Sequence, residues 1–305
     1  MGQPVLADHP GGVAPARPRR SLWVKRLAPY LLSLPGGVWL ILLFLVPLFI
    51  MLSLSLKTCS PASGVCYMTW SWGTLPHEVN LYHSQFITSL EYAGAATVID
   101  LAISFPIAYW IAFYGRRKKN FFLMMLLVPF FVSFVIRTYV WDYILSSNGI
   151  FLSFLRHHGI VSPSFHILGT GAAVVCGLAY NYLPFTALPL YVAIERIDRR
   201  VLDAAHDLYA NKTSAFTRVI LPLAIPGIFA AFLLTFIPAF GDYVNQQILG
   251  GASSTMIGTV IQDSFLVTGD YAGGSALSLV VLVIALVGIW LYARVLGSQS
   301  IEEYL

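Results

Sequence analysis

The chain has 305 residues, of which 57% are hydrophobic and only 10% charged, and its mean hydropathy is +0.74. A soluble domain carries about 25% charged residues, so these proportions exclude a soluble enzyme and describe a polytopic membrane protein. The net charge of +4 gives no reason to invoke nucleic acid. It reports on topology instead.

Residues 1–30 are rich in Gly, Pro and Ala with basic residues toward their end, and are expected to form a flexible cytoplasmic tail. Apolar runs follow at about Gly37 to Leu56, Leu90 to Phe113, Phe121 to Leu145, Ala172 to Ile194, Leu223 to Phe240 and Ala276 to Val295. Each is long enough to cross a bilayer, so residues 31–305 read as an all-α bundle of six transmembrane helices. The first run is too long for a signal-peptide core and lacks a small-residue cleavage site, so it stays as an anchor. The fifth run carries Pro222, Pro226, Gly227, Pro238 and Gly241 and is expected to be broken.

Charge sets the orientation. Arg17, Arg19, Arg20, Lys25 and Arg26 precede the first run; Arg116, Arg117, Lys118 and Lys119 follow the second; Arg196, Arg199, Arg200, Lys212 and Arg218 follow the fourth; Arg294 closes the sixth. Fifteen of the 18 basic residues thus fall on one side, and the opposite loops hold only Lys57 and Arg156. The positive-inside rule places both termini, and the loop after the fourth run, in the cytoplasm.

Catalytic patterns are missing. The sequence has no GxSxG elbow, no GxxxxGK[ST] phosphate loop and no GxGxxG, so the chain is expected neither to hydrolyse ATP nor to hold a dinucleotide or any other cofactor. His157 and His158 are adjacent, and neither HExxH nor paired CxxC occurs, which predicts no metal site. Cys176 falls in a span as a small hydrophobe. Cys59 and Cys66 share the first outer loop, where an oxidising compartment permits a disulfide and equally tolerates free thiols.

The loop at 195–222 is the exception in an oily chain. Val201, Leu202, Ala204, Ala205 and Leu208 recur at helical spacing with charges and His206 on the other face. Asn211 and Thr213 then offer turn and capping chemistry before a second short helix over Ser214 to Ile220. By itself this pattern fits either an amphipathic linker on the inner membrane surface or a knob gripped by a partner.

The segment DAAHDLYANKTSAFTRVILP decides between them by resemblance. It is similar to the cytoplasmic motif of the inner-membrane permease subunits of ABC importers: Glu-Ala-Ala, three residues, Gly, nine residues, then Ile-x-Leu-Pro. Asp203, Ala204 and Ala205 match the head, and Val219, Leu221 and Pro222 the tail. Asp203 replaces Glu, which keeps the charge, and Tyr209 stands where the family has Gly. A tyrosine at positive φ is strained, so the turn is expected to move toward Asn211, which tolerates the left-handed region better. The resemblance implies that Asp203, Ala204, Ala205, Leu208 and Tyr209 face an ATP-hydrolysing subunit, with Phe216 and Arg218 supporting the second helix. ATP and Mg would then sit on two such partner subunits. A second permease, an extracytoplasmic binding protein and membrane lipid complete the implied partners.

The runs FPIAYWIA, VPFFVSFVIRTYVW, LAYNYLPFTALPLYVAIERID and FIPAFGDYVNQQILGG look like the spermidine/putrescine group of this family. Permeases for iron, thiamine, opines or amino-acid-like solutes share much of the pattern, and an ATP-independent channel or an intramembrane enzyme is the reading from another class.

The ionisable residues lean weakly toward a cation. The stretch from Gly241 to Tyr271, read as an outer loop, holds Asp242, Asp263 and Asp270 and no Lys or Arg. The same acids could dock a binding protein. Asp242 is the preferred pathway carboxylate, with Tyr243 beside it and Tyr180 and Tyr182 in the fourth span. Arg137, 16 residues beyond Phe121, is expected about 24 Å along the third helix and snorkelling at the outer interface. Asp142, Tyr139 and Trp141 should share that mouth, where aromatics serve either as a belt or as faces for an ammonium. Asp100 lies near mid-membrane and should face a helix or cavity.

Overall fold

A computed structural model describes residues 22–59, 66–162 and 164–302. Contacts divide the chain into two compact units, Met1–Ile50 and Met51–Leu305. Within the first, helix α1 (Leu22–Ser55, ending inside the second unit) begins in what the sequence reads as tail, and the rest of that tail lies outside the described residues. Its apolar stretch Ser33–Ser55 has no polar face, as a lipid-facing span requires.

The second unit is built on helices α3 (His83–Tyr114), α7 (Gly171–Glu195), α10 (Leu221–Phe240) and α13 (Tyr271–Glu302). Before them come the short strands β1 (Lys57–Cys59) and β2 (Cys66–Met68), paired antiparallel with Cys59 opposite Cys66, and helix α2 (Thr74–Leu81). The α3, α7 and α10 seams are made by small residues. Ala93, Ala96, Ala108 and Ala112 of α3, Ala173, Ala179 and Ala187 of α7, and Ala224 and Ala231 of α10 are buried. Lipid gives helices no hydrophobic reason to associate, so close approach through small side chains supplies the packing energy. Gly227 shows how tight the α7–α10 seam is, since a Cβ there would run into Cβ of Ala193.

Five helices are long and apolar enough to span a membrane, and a bent pair makes a sixth. The break is not where proline content places it. The fifth span is continuous from Lys212 to Phe240. The helix runs on through Pro222, which comes just after the π-helical turn, and through Pro226 in its interior, and Pro238 lies in its last turn.

The third span is the broken one: Arg116–Phe131 and Phe134–His157 meet at 87°. Helix α4 (Lys119–Leu127) tightens into a 3-10 turn, Val128–Phe131, with Pro129 in its first positions. Val132 and Ser133 are then extended, with ψ of 139° and 137°, before α5 (Phe134–Leu145) and α6 (Ile150–His157). Non-helical backbone at membrane depth persists only inside protein or along a cavity, and here Val132 and Ser133 line a cavity.

The stretch read as an outer loop is likewise folded inward. It forms α11 (Val244–Leu249), α12 (Ile257–Asp263) and a π-helical turn, Ser264–Thr268. Asn245, Leu249, Met256 and Ile257 are buried.

Between α7 and α10 the chain forms α8 (Arg199–Asp207) and α9 (Lys212–Ala215). The second short helix expected there is not separate. A π-helical turn, Phe216–Ile220, joins α9 directly to α10.

Candidate functional site

The broken third span, α7 and the end of α10 border an open cavity of about 590 Å³, lined by Phe130, Phe134, Arg137, Tyr182, Phe185 and Asp242 among others. Arg137 does not snorkel. The bend turns α5 inward, so its guanidinium lies over the Phe130 ring at 4.6 Å and the Phe134 ring at 5.7 Å from their centroids. It is only 7% exposed, and its Nε has no hydrogen-bond partner among the described residues. No carboxylate pairs with it either, since the one ion pair among the described residues joins Lys119 to Glu195 at 2.7 Å.

Asp242 forms part of the same wall and is equally buried, but it is fully engaged. Its Oδ2 accepts from the Tyr182 hydroxyl at 2.9 Å and from Asn245 Nδ2 at 3.2 Å, and its Oδ1 accepts from the Asn245 backbone N–H at 2.7 Å. Asn245 extends the network: its Oδ1 accepts from Asn181 Nδ2 at 2.9 Å, which also donates to Thr138 Oγ1 at 3.0 Å. One chain of polar groups therefore ties α5, α7 and α11 together inside the bundle. Such buried networks fix geometry when satisfied.

The pathway candidates separate into three places. Asp242, Tyr182 and Tyr243 line the cavity. Tyr139, Asp142 and Tyr243 line a neighbouring groove of about 380 Å³ with Gln247. Trp141 and Tyr180 meet edge-on at 5.4 Å, and Trp141 packs on Leu145, Ala173 and Leu249. Asp100 is fully buried on α3 and neither oxygen finds a partner among the described residues. At the far end of the bundle Asp270 is exposed and accepts from the Gly273 N–H at 3.0 Å. Partial burial and the nearby Asp270 carboxylate hold Glu78 above the usual glutamate range, against the opposing pull of His77. Asn181, Thr138 and Asn245 escaped the sequence reading; polar side chains inside apolar runs were the available signal.

The α8–α9 knob has defined geometry. Tyr209 adopts φ +60°, and the Ala210 N–H donates to Ala205 O at 3.0 Å, which closes a Schellman turn at the end of α8. The turn therefore stays at Tyr209, contrary to the displacement the sequence suggested. Asn211 is unavailable for it because it caps α9 from an extended conformation, its Oδ1 accepting from the Ser214 N–H at 2.7 Å. Tyr209 is 98% and Leu208 82% exposed, and Asp203, Ala204 and Arg218 are also exposed, whereas Ala205 is half-buried. Phe216 turns inward, edge-on to Phe105 at 5.4 Å and Tyr109 at 6.0 Å. Arg199 anchors the start of α8 by donating to Phe113 O at 2.7 Å, at the end of α3.

Residues 97–297 match the family model described as the binding-protein-dependent transport system inner membrane component. The chain belongs to this family. It is a permease subunit of an ABC transport system, and the long apolar helices are those of a multi-pass inner membrane protein. Relatives include the spermidine/putrescine transport system permease protein PotB of Haemophilus influenzae, 36% identical over 270 residues, which cover 87% of this chain and 93% of that protein. PotB of Escherichia coli is 34% identical over 265 residues, 86% of this chain and 96% of its own length. Among solved structures, a bacterial alginate ABC transporter in complex with its alginate pentasaccharide-bound periplasmic protein aligns with a TM-score of 0.67 at 19% identity. It covers 90% of this chain and 96% of that one, a likeness of fold.

Proposed function

We propose that this permease forms half of the translocation path for a polyamine such as spermidine or putrescine. The observation that carries this reading is the near full-length likeness to permeases named for those solutes. Ring faces and a carboxylate along the cavity wall suit an alkylammonium ion. Asp242, Tyr182 and Tyr243 are assigned to the path, and Tyr139 and Asp142 to its mouth, with Trp141 and Tyr180 packing behind them. The second half of the path comes from another permease, and a binding protein delivers the solute from outside. Both termini and the α8–α9 knob lie in the cytoplasm, as the distribution of basic residues requires.

In this arrangement the knob docks on one of two ATP-binding subunits, which carry ATP and Mg. Asp203, Ala204, Ala205, Leu208 and Tyr209 meet that subunit, while Phe216 and Arg218 brace the second helix. Reconstitution with the partner permease, the ATPase subunits and the binding protein tests the whole reading. ATP-dependent uptake of spermidine or putrescine is expected, and replacement of Leu208 and Tyr209 by serine should abolish it in an assembled complex. Uptake that needs no ATP, or a preference for sulfate or phosphate, would sink it.

A further inference from the structure

The Phe130–Phe134 pocket has the makings of a cation site whose ring faces are already covered. Its ring faces, with Tyr182, Phe185 and Asp242 completing the wall, are what an alkylammonium group needs to leave water. The positive charge found there belongs to the chain itself. The Arg137 guanidinium lies 4.6 Å from the Phe130 centroid and 5.7 Å from that of Phe134.

Two features make this residence exchangeable. Arg137 is held by ring faces alone: its Nε is unpartnered and no carboxylate is in ion-pair range among the described residues. A buried arginine placed for structure normally finds acceptors, because an unsatisfied buried charge is costly. Asp242, the carboxylate in the cavity lining, is instead occupied by Tyr182 and Asn245. In addition, Arg137 sits at the first turn of α5, immediately after the extended pair Val132–Ser133, where the third span already bends by 87°. Movement of α5 about that break carries the guanidinium into or out of the pocket.

We propose that Arg137 is a built-in competitor for the substrate's ammonium group, a tethered cation that covers the Phe130 and Phe134 ring faces at rest and must leave them before an ammonium of the polyamine can take its place. This rests on the polyamine reading above and adds to it a specificity determinant. A solute with a single weakly held charge does not displace the resident, whereas a polycation with aromatic contacts along its length does. The site therefore stays closed to ordinary monovalent cations.

The test is equilibrium binding of radiolabelled spermidine to the purified permease–ATPase complex in nanodiscs, without binding protein, so that only the membrane site is read. Arg137→Met removes the competitor and keeps the apolar bulk. It is expected to bind about tenfold more tightly, the factor by which a site free a tenth of the time under-reports its affinity. Adding Phe130→Leu to that variant should reverse the gain, because the ring face is then missing, and Arg137→Lys should stay near wild type. Arg137→Gln serves if the methionine variant fails to assemble. Unchanged or weaker binding by an assembled, ATP-hydrolysing Arg137→Met complex would overturn the proposal. If the reconstituted wild type instead imports a different cationic solute, the polyamine reading fails on its own, and the same variants measured with that solute decide the role of Arg137.

Discussion

Tyr209 holds a left-handed conformation that an L-residue adopts at a cost of roughly 1–2 kcal/mol; the Ala210–Ala205 bond of the turn offsets part of it, but that bond would form equally with glycine, and a ring 98% exposed adds little packing of its own. Strain kept at an exposed position points to a use outside the chain. Tyr209→Gly should relieve the turn, with a net change of at most about 1 kcal/mol in knob stability once glycine's greater unfolded freedom is counted. On the docking proposed above, the same variant should lower transport-coupled ATP hydrolysis several-fold, because the exposed ring is gone. Thermal melts and ATPase assays on one preparation separate the two effects. Sequence alone identified the odd residue correctly but misplaced its consequence. It treated the tolerance of Asn211 for positive φ as decisive, when the capping bond to Ser214 had a prior claim on that side chain.

At the level of elements, hydropathy located all six spans, and it failed over which of them is interrupted. The fifth span stays helical through Pro222, Pro226 and Pro238, whereas the third breaks at two extended residues after Pro129. Neither extended residue carries a local sequence signal; the bend exists because a cavity stands beside it, a tertiary fact. Arg137 was misplaced for the same reason, since a 24 Å count along a straight helix does not apply to a bent one. The α7–α10 seam allows a direct test. Gly227→Val should destabilise the permease by about 1–3 kcal/mol, as overpacking of a tight seam does, because its side chain would meet Ala193. Gly94→Ala on α3, with open space around it, should be tolerated. Detergent-resistant thermal unfolding of the two variants distinguishes them.

For the molecule as a whole, the distribution of basic residues makes a prediction that impermeant thiol labelling can check. In a background lacking the three native cysteines, Tyr209→Cys should react only from the cytoplasmic face and Trp72→Cys only from the opposite face. Labelling of both from one side would discard the assigned orientation. The short helices after the fourth span and the apolar runs were legible because both are written locally. The polar chain from Thr138 through Asn181 and Asn245 to Asp242 was not, because its members are 107 residues apart in sequence at the widest and become neighbours only when α11 folds back into the bundle. One consequence of the unbroken fifth span concerns mechanics. Its 29 residues make a rod about 43 Å long at 1.5 Å per residue. It begins at the exposed knob and ends immediately before the pair Gly241–Asp242. Pivoting where Gly227 meets Ala193, about 20 Å from its end, such a rod converts a tilt of about 5° into a displacement of about 2 Å at the cavity wall. A gate of that size needs no hinge within α10, only a fulcrum, and the α7 seam at Gly227 is placed to serve as one.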